Sequence, residues 1–386
     1  MQVPARSRTN QGWPQISGPK APSVHDVAAG NTLERVEISP KSAESLANRS
    51  DPDHPKICVY GAGNVGCYIG GRLQATGTPV QFVGRASMGQ TLHQHGLHLT
   101  DFRGADLSVR PQEVNFSDDP TAASAADVVL VTVKSGGTDA AAAELSHVVK
   151  PGSVVVSLQN GVTNVDSLRR QLPGCTVLAG MVPFNVTQQG GGKFHQGTSG
   201  GIVVEQNPAL NEVSNAFAQA GLPLESRTDL PAVQWSKLLM NLNNSVNALS
   251  SLPLKTELSQ RDYRRCLAMA QKEALQVLDK ASIRPARLTL LPTHWIPPML
   301  GLPNFIFSWI ASSLLAIDPL ARSSMQDDLE KGRKTEIDWI NGAVVDLAKT
   351  VHEDTPVNNA LIRLIHDAEQ GGRRDWSGPE LLAVLR

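Results

Sequence analysis

From Lys56 onward the chain sets short, wholly apolar runs against longer stretches in which apolar residues recur every three or four positions. The runs at 57–60, 80–83, 127–133, 154–158 and 176–181 are rich in Val, Ile and Leu and lack polar alternation. That is the pattern of strands buried on both faces of a parallel sheet. Helical periodicity separates most of them, and strands alternating with helices require crossover connections that cover the sheet. The expectation is an α/β domain, with the glycine-rich segment 190–201 as a hairpin or excursion near its end. Beyond Pro231 the period becomes that of long helices, so a second, all-α domain is expected. The boundary is placed near residue 228, giving domains at 55–228 and 229–386.

Two segments break this rhythm. Residues 1–54 are rich in Ser, Pro, Asn and Gly and sustain no period, which predicts a disordered leader. Residues 288–317 carry no Asp, Glu, Lys or Arg, yet Pro292, Pro297, Pro298 and Pro303 interrupt them. The proline-free part, 304–317, falls short of the roughly 20 residues that cross a bilayer. A buried or interface helix is expected there instead of a membrane span.

Composition narrows the partners. With 35 basic against 36 acidic residues among 386, no charge footprint for nucleic acid or an anionic membrane exists, which favours a small-molecule partner. Four dispersed cysteines without a CxxC motif fit a reducing compartment. There is no apolar signal region, and the basic, acid-free first 25 residues hold prolines at 4, 14, 19 and 22. A cytoplasmic location is expected, with organellar targeting by the leader left open, as is a homodimer.

The first strand runs into Gly61-Ala62-Gly63-Asn64-Val65-Gly66, a GxGxxG pattern that opens a helix. In that setting the backbone approaches a pyrophosphate resting on the helix N-terminus, so the first domain reads as a Rossmann domain. The second strand ends in Arg85 rather than in the carboxylate that would hold the ribose 2′-hydroxyl of NAD. A cation there suits a 2′-phosphate, and NADP(H) is the expected cofactor.

In the second domain the run Trp235–Ser245 has helical character and places Lys237, Asn241, Asn244 and Ser245 on one polar stripe beside a leucine face. Reduction of a ketone needs a proton donor beside the carbonyl oxygen and fixed donors to orient the substrate. Lysine and asparagine amides supply these. Downstream, the segment Ser323-Ser324-Met325 through Asp328, Gly332-Arg333, Thr335-Glu336-Ile337-Asp338 and Asn341-Gly342 resembles the SSM…D…GR.TEID..NG signature of the ketopantoate reductase family. Trp235–Leu249 resembles that family's W.K...N helix. Val131-Thr132-Val133-Lys134, Gln159-Asn160-Gly161 and Thr355-Pro356-Val357-Asn358 extend the likeness over about residues 56–380.

The resemblance implies a Rossmann domain joined to a helical domain like that of 6-phosphogluconate dehydrogenase, with NADPH between them. The implied reaction is reduction of 2-dehydropantoate to pantoate on the route to coenzyme A. Lys237 takes the place of the catalytic lysine, and Glu336 that of the glutamate that meets the lysine, the substrate and the cofactor. Asn241 and Ser324 match substrate-binding positions. Asn160 and Lys134 match residues near the nicotinamide and the substrate, and Arg85 coincides with the 2′-phosphate arginine. Ser245 stands where many members carry a second asparagine and joins Asn160 among the substrate-binding candidates.

An opine-type or other 2-oxo acid dehydrogenase and a non-catalytic NADP-sensing protein are the alternatives. His93, His95 and His98 have cluster-like spacing, but a strand is expected there and would point alternate residues to opposite faces, so no metal site is expected.

Overall fold

The computed structural model describes residues 55–288, 291–310 and 321–386; the expected leader lies outside them. The strands are β1 (Ile57–Tyr60), β2 (Val80–Val83), β3 (Leu97–Asp101), β4 (Asp106–Val109), β5 (Asn115–Ser117), β6 (Val128–Val131), β7 (Val154–Ser157), β8 (Thr176–Met181), β9 (Val186–Gln188), β10 (Lys193–Gln196), β11 (Ile202–Glu205) and β12 (Leu224–Arg227). The main sheet has the order β12-β11-β8-β7-β6-β1-β2-β5, parallel from β8 to β5, with β11 antiparallel to β8. β1, β6 and β7 are buried along their whole length, as unbroken apolar runs at a sheet centre must be. Chain order reverses between β1 and β6, and ligands of such sheets bind at the carboxyl ends of the strands at that switch point.

The first-domain helices are α1 (Asn64–Ala75), α2 (Ala86–His95), α3 (Thr138–Ser146), α4 (Asn164–Gln171) and α5 (Asn211–Gln219). Two cores flank the sheet, one holding Val59, Phe82, Leu130 and Val156, the other Cys58, Val129, Val131 and Val155. All five expected strand regions contain strands. The glycine-rich segment lies in the turn and return strand of the antiparallel β9–β10 hairpin, and β10 also pairs in parallel with β3 to complete a second sheet, β4-β3-β10-β9. Expecting the three histidines on a strand was wrong. His93 and His95 end α2, whereas His98 lies on β3 and meets Asp106 on β4.

After β12 the chain is helical: α6 (Leu230–Asn241), α7 (Asn243–Ser250), α8 (Leu254–Ser259), α9 (Arg261–Lys280), α10 (Ile296–Leu300), α11 (Asn304–Ile310), α12 (Ser324–Glu330), α13 (Ile337–Thr350), α14 (Pro356–Glu369) and α15 (Gly378–Val384). Their shared core includes Leu239, Leu242, Val246, Leu267, Ala270, Ala274, Val344 and Leu361. The Glu273 carboxylate on α9 accepts from the Val357 and Asn358 backbone amides, which binds the Thr355–Asn358 motif to the bundle. In the described part of the uncharged segment Phe307 and Leu300 face the core while Trp295, Phe305 and Trp309 are exposed; residues 289–290 and 311–317 of it lie outside the described residues. Among the described residues no helix is long and apolar enough to cross a membrane.

Candidate active site

The GxGxxG loop works through its backbone. Gly61 sits at φ +106°, a conformation that L side chains rarely adopt, and its amide and that of Ala62 both donate to the Val83 carbonyl at 2.9 Å. A Cβ on Gly66 would lie 2.5 Å from Thr132 Oγ1 and 2.7 Å from the Gly61 carbonyl oxygen, so only glycine lets α1 start this close to β6. Gly63 meets nothing closer than 3.9 Å and leaves the approach open. Gly63 also caps α1 without a side chain, so no side-chain oxygen competes for the first-turn amides. The loop fits an anion held at a helix N-terminus. Asn64 turns its amide to the Val186 carbonyl, and Val65 packs on the sheet core. Arg85 caps α2 just beyond β2; its side chain is exposed and makes no ion pair with the described residues.

The helix α6 belongs to both domains. Leu230 and Val233 join the sheet core, Trp235, Leu238 and Leu239 join the helical core, and Gln234 Nε2 reaches the Gly180 carbonyl at 3.3 Å. Lys237 therefore lies on a helix wedged between the halves. Its side chain is largely buried, and its ammonium donates to the Pro183 carbonyl at 3.3 Å, just past β8. Burial pushes its pKa down to about 8. Asn241, one turn on, is half-buried and its carboxamide bonds to no described residue.

The polar stripe stops there. Helix α6 ends at Asn241, and α7 then packs against α12, so Ser245 is wholly buried with its hydroxyl returned to the Leu242 carbonyl at 3.0 Å. Leu242 keeps helical dihedrals and its amide still bonds the Leu238 carbonyl at 3.0 Å, so it is the packing of α7 on α12 that buries Ser245. Asn247 instead accepts from the Ser323 amide at 3.0 Å, and the Ser323 hydroxyl caps α12. This leaves Ser324 exposed at the start of α12, its hydroxyl bonded to no described residue.

Glu336 is the meeting point of three segments. It caps α13 beside Thr335, whose amide is fixed by Glu369 at 2.8 Å. Its Oε1 accepts from the Ser135 amide at 2.9 Å and from Ser135 Oγ at 2.8 Å, and its Oε2 accepts from Asn160 Nδ2 at 3.2 Å. No bond joins Glu336 to Lys237. The Lys237 ammonium bonds the Pro183 carbonyl instead, while the donors after β6 and β7 hold the carboxylate. Lys134 is also engaged, through an ion pair of 2.5 Å with Asp328, which Arg333 meets from its other side at 2.9 Å. Burial raises the Asp328 pKa, and Lys134 and Arg333 oppose that rise. Nothing in the sequence marks Ser135 as a partner of Glu336 beyond its place next to Lys134.

The model of the ketopantoate reductase PanE/ApbA family matches residues 57–209, and that of the same family's C terminal matches 229–369. A 2-dehydropantoate 2-reductase of Halobacterium salinarum is 26% identical over 324 residues, covering 82% of this chain and 100% of that protein. A PanE/ApbA family ketopantoate reductase from Ralstonia eutropha JMP134 superposes with a TM-score of 0.71 at 28% identity, covering 82% of this chain and 99% of that one. D-mandelate dehydrogenase, solved with NADH and anilino(oxo)acetate, shares the fold with a TM-score of 0.66 at 19% identity, over 82% and 99% of the two chains. The two family matches take in Gly61–Gly66, Arg85, Lys134 and Asn160 on one side, and Lys237, Asn241, Ser324 and Glu336 on the other. The protein is an oxidoreductase that uses a nicotinamide cofactor, and it belongs to the ketopantoate reductase family.

Proposed function

We propose that this protein reduces a 2-oxo acid with NADPH, 2-dehydropantoate before any other, to give (R)-pantoate on the route to coenzyme A. Residues 55–228 hold the cofactor and 229–386 the substrate. The observation that carries the reading is Lys237, a lysine between two domains whose pKa of about 8 lets it give up a proton near neutral pH.

Gly61–Gly66 would hold the pyrophosphate, Arg85 the 2′-phosphate, and Lys134 and Asn160 the nicotinamide end. The reduced nicotinamide supplies the hydride. Lys237 donates its proton to the carbonyl oxygen as negative charge develops there. The amide of Asn241 and the hydroxyl of Ser324, neither bonded to a described residue, are donors for the substrate's carboxylate and ketone. Glu336, an acceptor, suits the 4-hydroxyl of ketopantoate.

The test is NADPH oxidation followed across a panel of 2-oxo acids. Ketopantoate is expected to exceed 2-oxoisovalerate, which lacks the hydroxyl, by roughly 10- to 100-fold in kcat/KM, the worth of one hydrogen bond to a charged group. Equal efficiency would reassign the protein as a broader 2-oxo acid reductase. NADPH binding without turnover on any acid would make it a sensor.

A further inference from the structure

We infer that Ser135 is a positioning residue for Glu336, holding its carboxylate from the cofactor side of the cleft. The inference rests on the proposed reading of Glu336 as the carboxylate that meets the substrate.

Ser135 is 2% exposed and starts a tight turn between β6 and α3, so its amide has no carbonyl of that turn to bond. Both its amide and its hydroxyl aim at the same oxygen, Oε1 of Glu336, at 2.9 and 2.8 Å. The hydroxyl has a second acceptor in reach, the Asn160 carbonyl at 2.9 Å, while Asn164 Nδ2 lies 3.2 Å from Oγ as a donor. One hydroxyl proton cannot serve two acceptors at full strength, and an ionised carboxylate takes it in preference to a neutral carbonyl. If Glu336 turns toward a substrate hydroxyl, Ser135 turns its O–H fully to the Asn160 carbonyl and no hydroxyl is left unpaired. Ser135 thereby fixes where Glu336 waits and lowers the cost of its release. A residue without a hydroxyl keeps only the amide contact and cannot make that exchange.

The experiment is a double-mutant cycle on the full chain with Ser135→Ala, Ser135→Thr, Glu336→Ala and the double variant Ser135→Ala/Glu336→Ala. Ser135→Ala is expected to raise KM for ketopantoate about 10-fold, the loss of one charge-assisted hydrogen bond, with kcat changed less and NADPH affinity unchanged. Ser135→Thr restores the wild-type KM. In the Glu336→Ala background the serine change adds less than about twofold, since its partner is gone. Independent effects that multiply, or a threonine variant as impaired as the alanine one, would overturn the inference. A wild-type protein with no turnover on any 2-oxo acid sinks the functional reading instead. Melting midpoints of the same four alanine-cycle proteins then decide the contact: non-additive shifts uphold Ser135 as the holder of Glu336, and additive shifts overturn it.

Discussion

The two halves build their sites from different material. On the Rossmann side the GxGxxG loop acts through amides, a φ of +106° at Gly61 and the lack of a Cβ at Gly66. On the helical side the proposed site relies on side chains, Lys237, Asn241, Ser324 and Glu336, carried by three separate helices or their ends. A backbone site is set by local conformation and is legible in a hexapeptide. A side-chain site depends on how helices pack, and it tolerates errors of reading by one turn. The contrast also predicts different failures: side-chain changes on the helical side should strike chemistry while sparing the cofactor, and changes on the Rossmann side the reverse.

The largest expected effect is at Lys237. Lys237→Ala is expected to lower kcat roughly 100- to 10,000-fold, the range for losing a positioned acid, with NADPH affinity retained in a fluorescence titration. Near-normal turnover would remove the helical side from the chemistry. Next is Arg85→Ala, expected to weaken NADPH roughly 10- to 100-fold and leave NADH nearly untouched. Equal weakening of both cofactors would show that the arginine is structural.

A smaller and more graded effect concerns pH. In the proposed mechanism reduction needs the ammonium form of Lys237, whose pKa burial pushes down to about 8. The kcat/KM for reduction should therefore be level below pH 8 and fall by about tenfold per unit above it. A profile flat to pH 10 would assign the proton to another group.

The smallest expected effect is on stability. The lysine pKa falls from 10.5 to about 8 because burial penalises the charge, so the folded state bears that penalty at neutral pH and sheds it between pH 8 and 10.5. Lys237→Met should then raise the melting midpoint by a few degrees at pH 7. The gain should disappear as the pH approaches 10.5. A gain that is the same at both pH values would trace to packing rather than to charge.

What could be read from sequence follows the same division. The buried parallel strands and the phosphate loop were legible because each depends on residues adjacent in the chain. The β4-β3-β10-β9 sheet was not, since Lys193 pairs with His98 and Phe194 with Leu99 across a long separation. The short edge strands β5 and β12 carry too few buried residues to leave a pattern. The burial of Ser245 was not legible, because it comes from α7 packing on α12, a contact between distant helices that a stripe drawn at 100° per residue does not record. Lys237 and Asn241, both on α6, keep the relation the period gives them. The hold of Ser135 and Asn160 on Glu336 is a contact between domains, which no local pattern records.

The Lys134–Ser135 turn continues into Gly136, where a Cβ would stand 2.9 Å from Cη2 of Trp339 on α13. Room for the indole on one domain is thus provided by a missing side chain on the other. The two positions are coupled in size, since a larger residue at 136 requires the ring at 339 to shift or shrink. Recombination between relatives at the linker near residue 228 would separate them. Chimaeras that join this Rossmann domain to a foreign helical domain should therefore be more stable where the pair at 136 and 339 still matches in size.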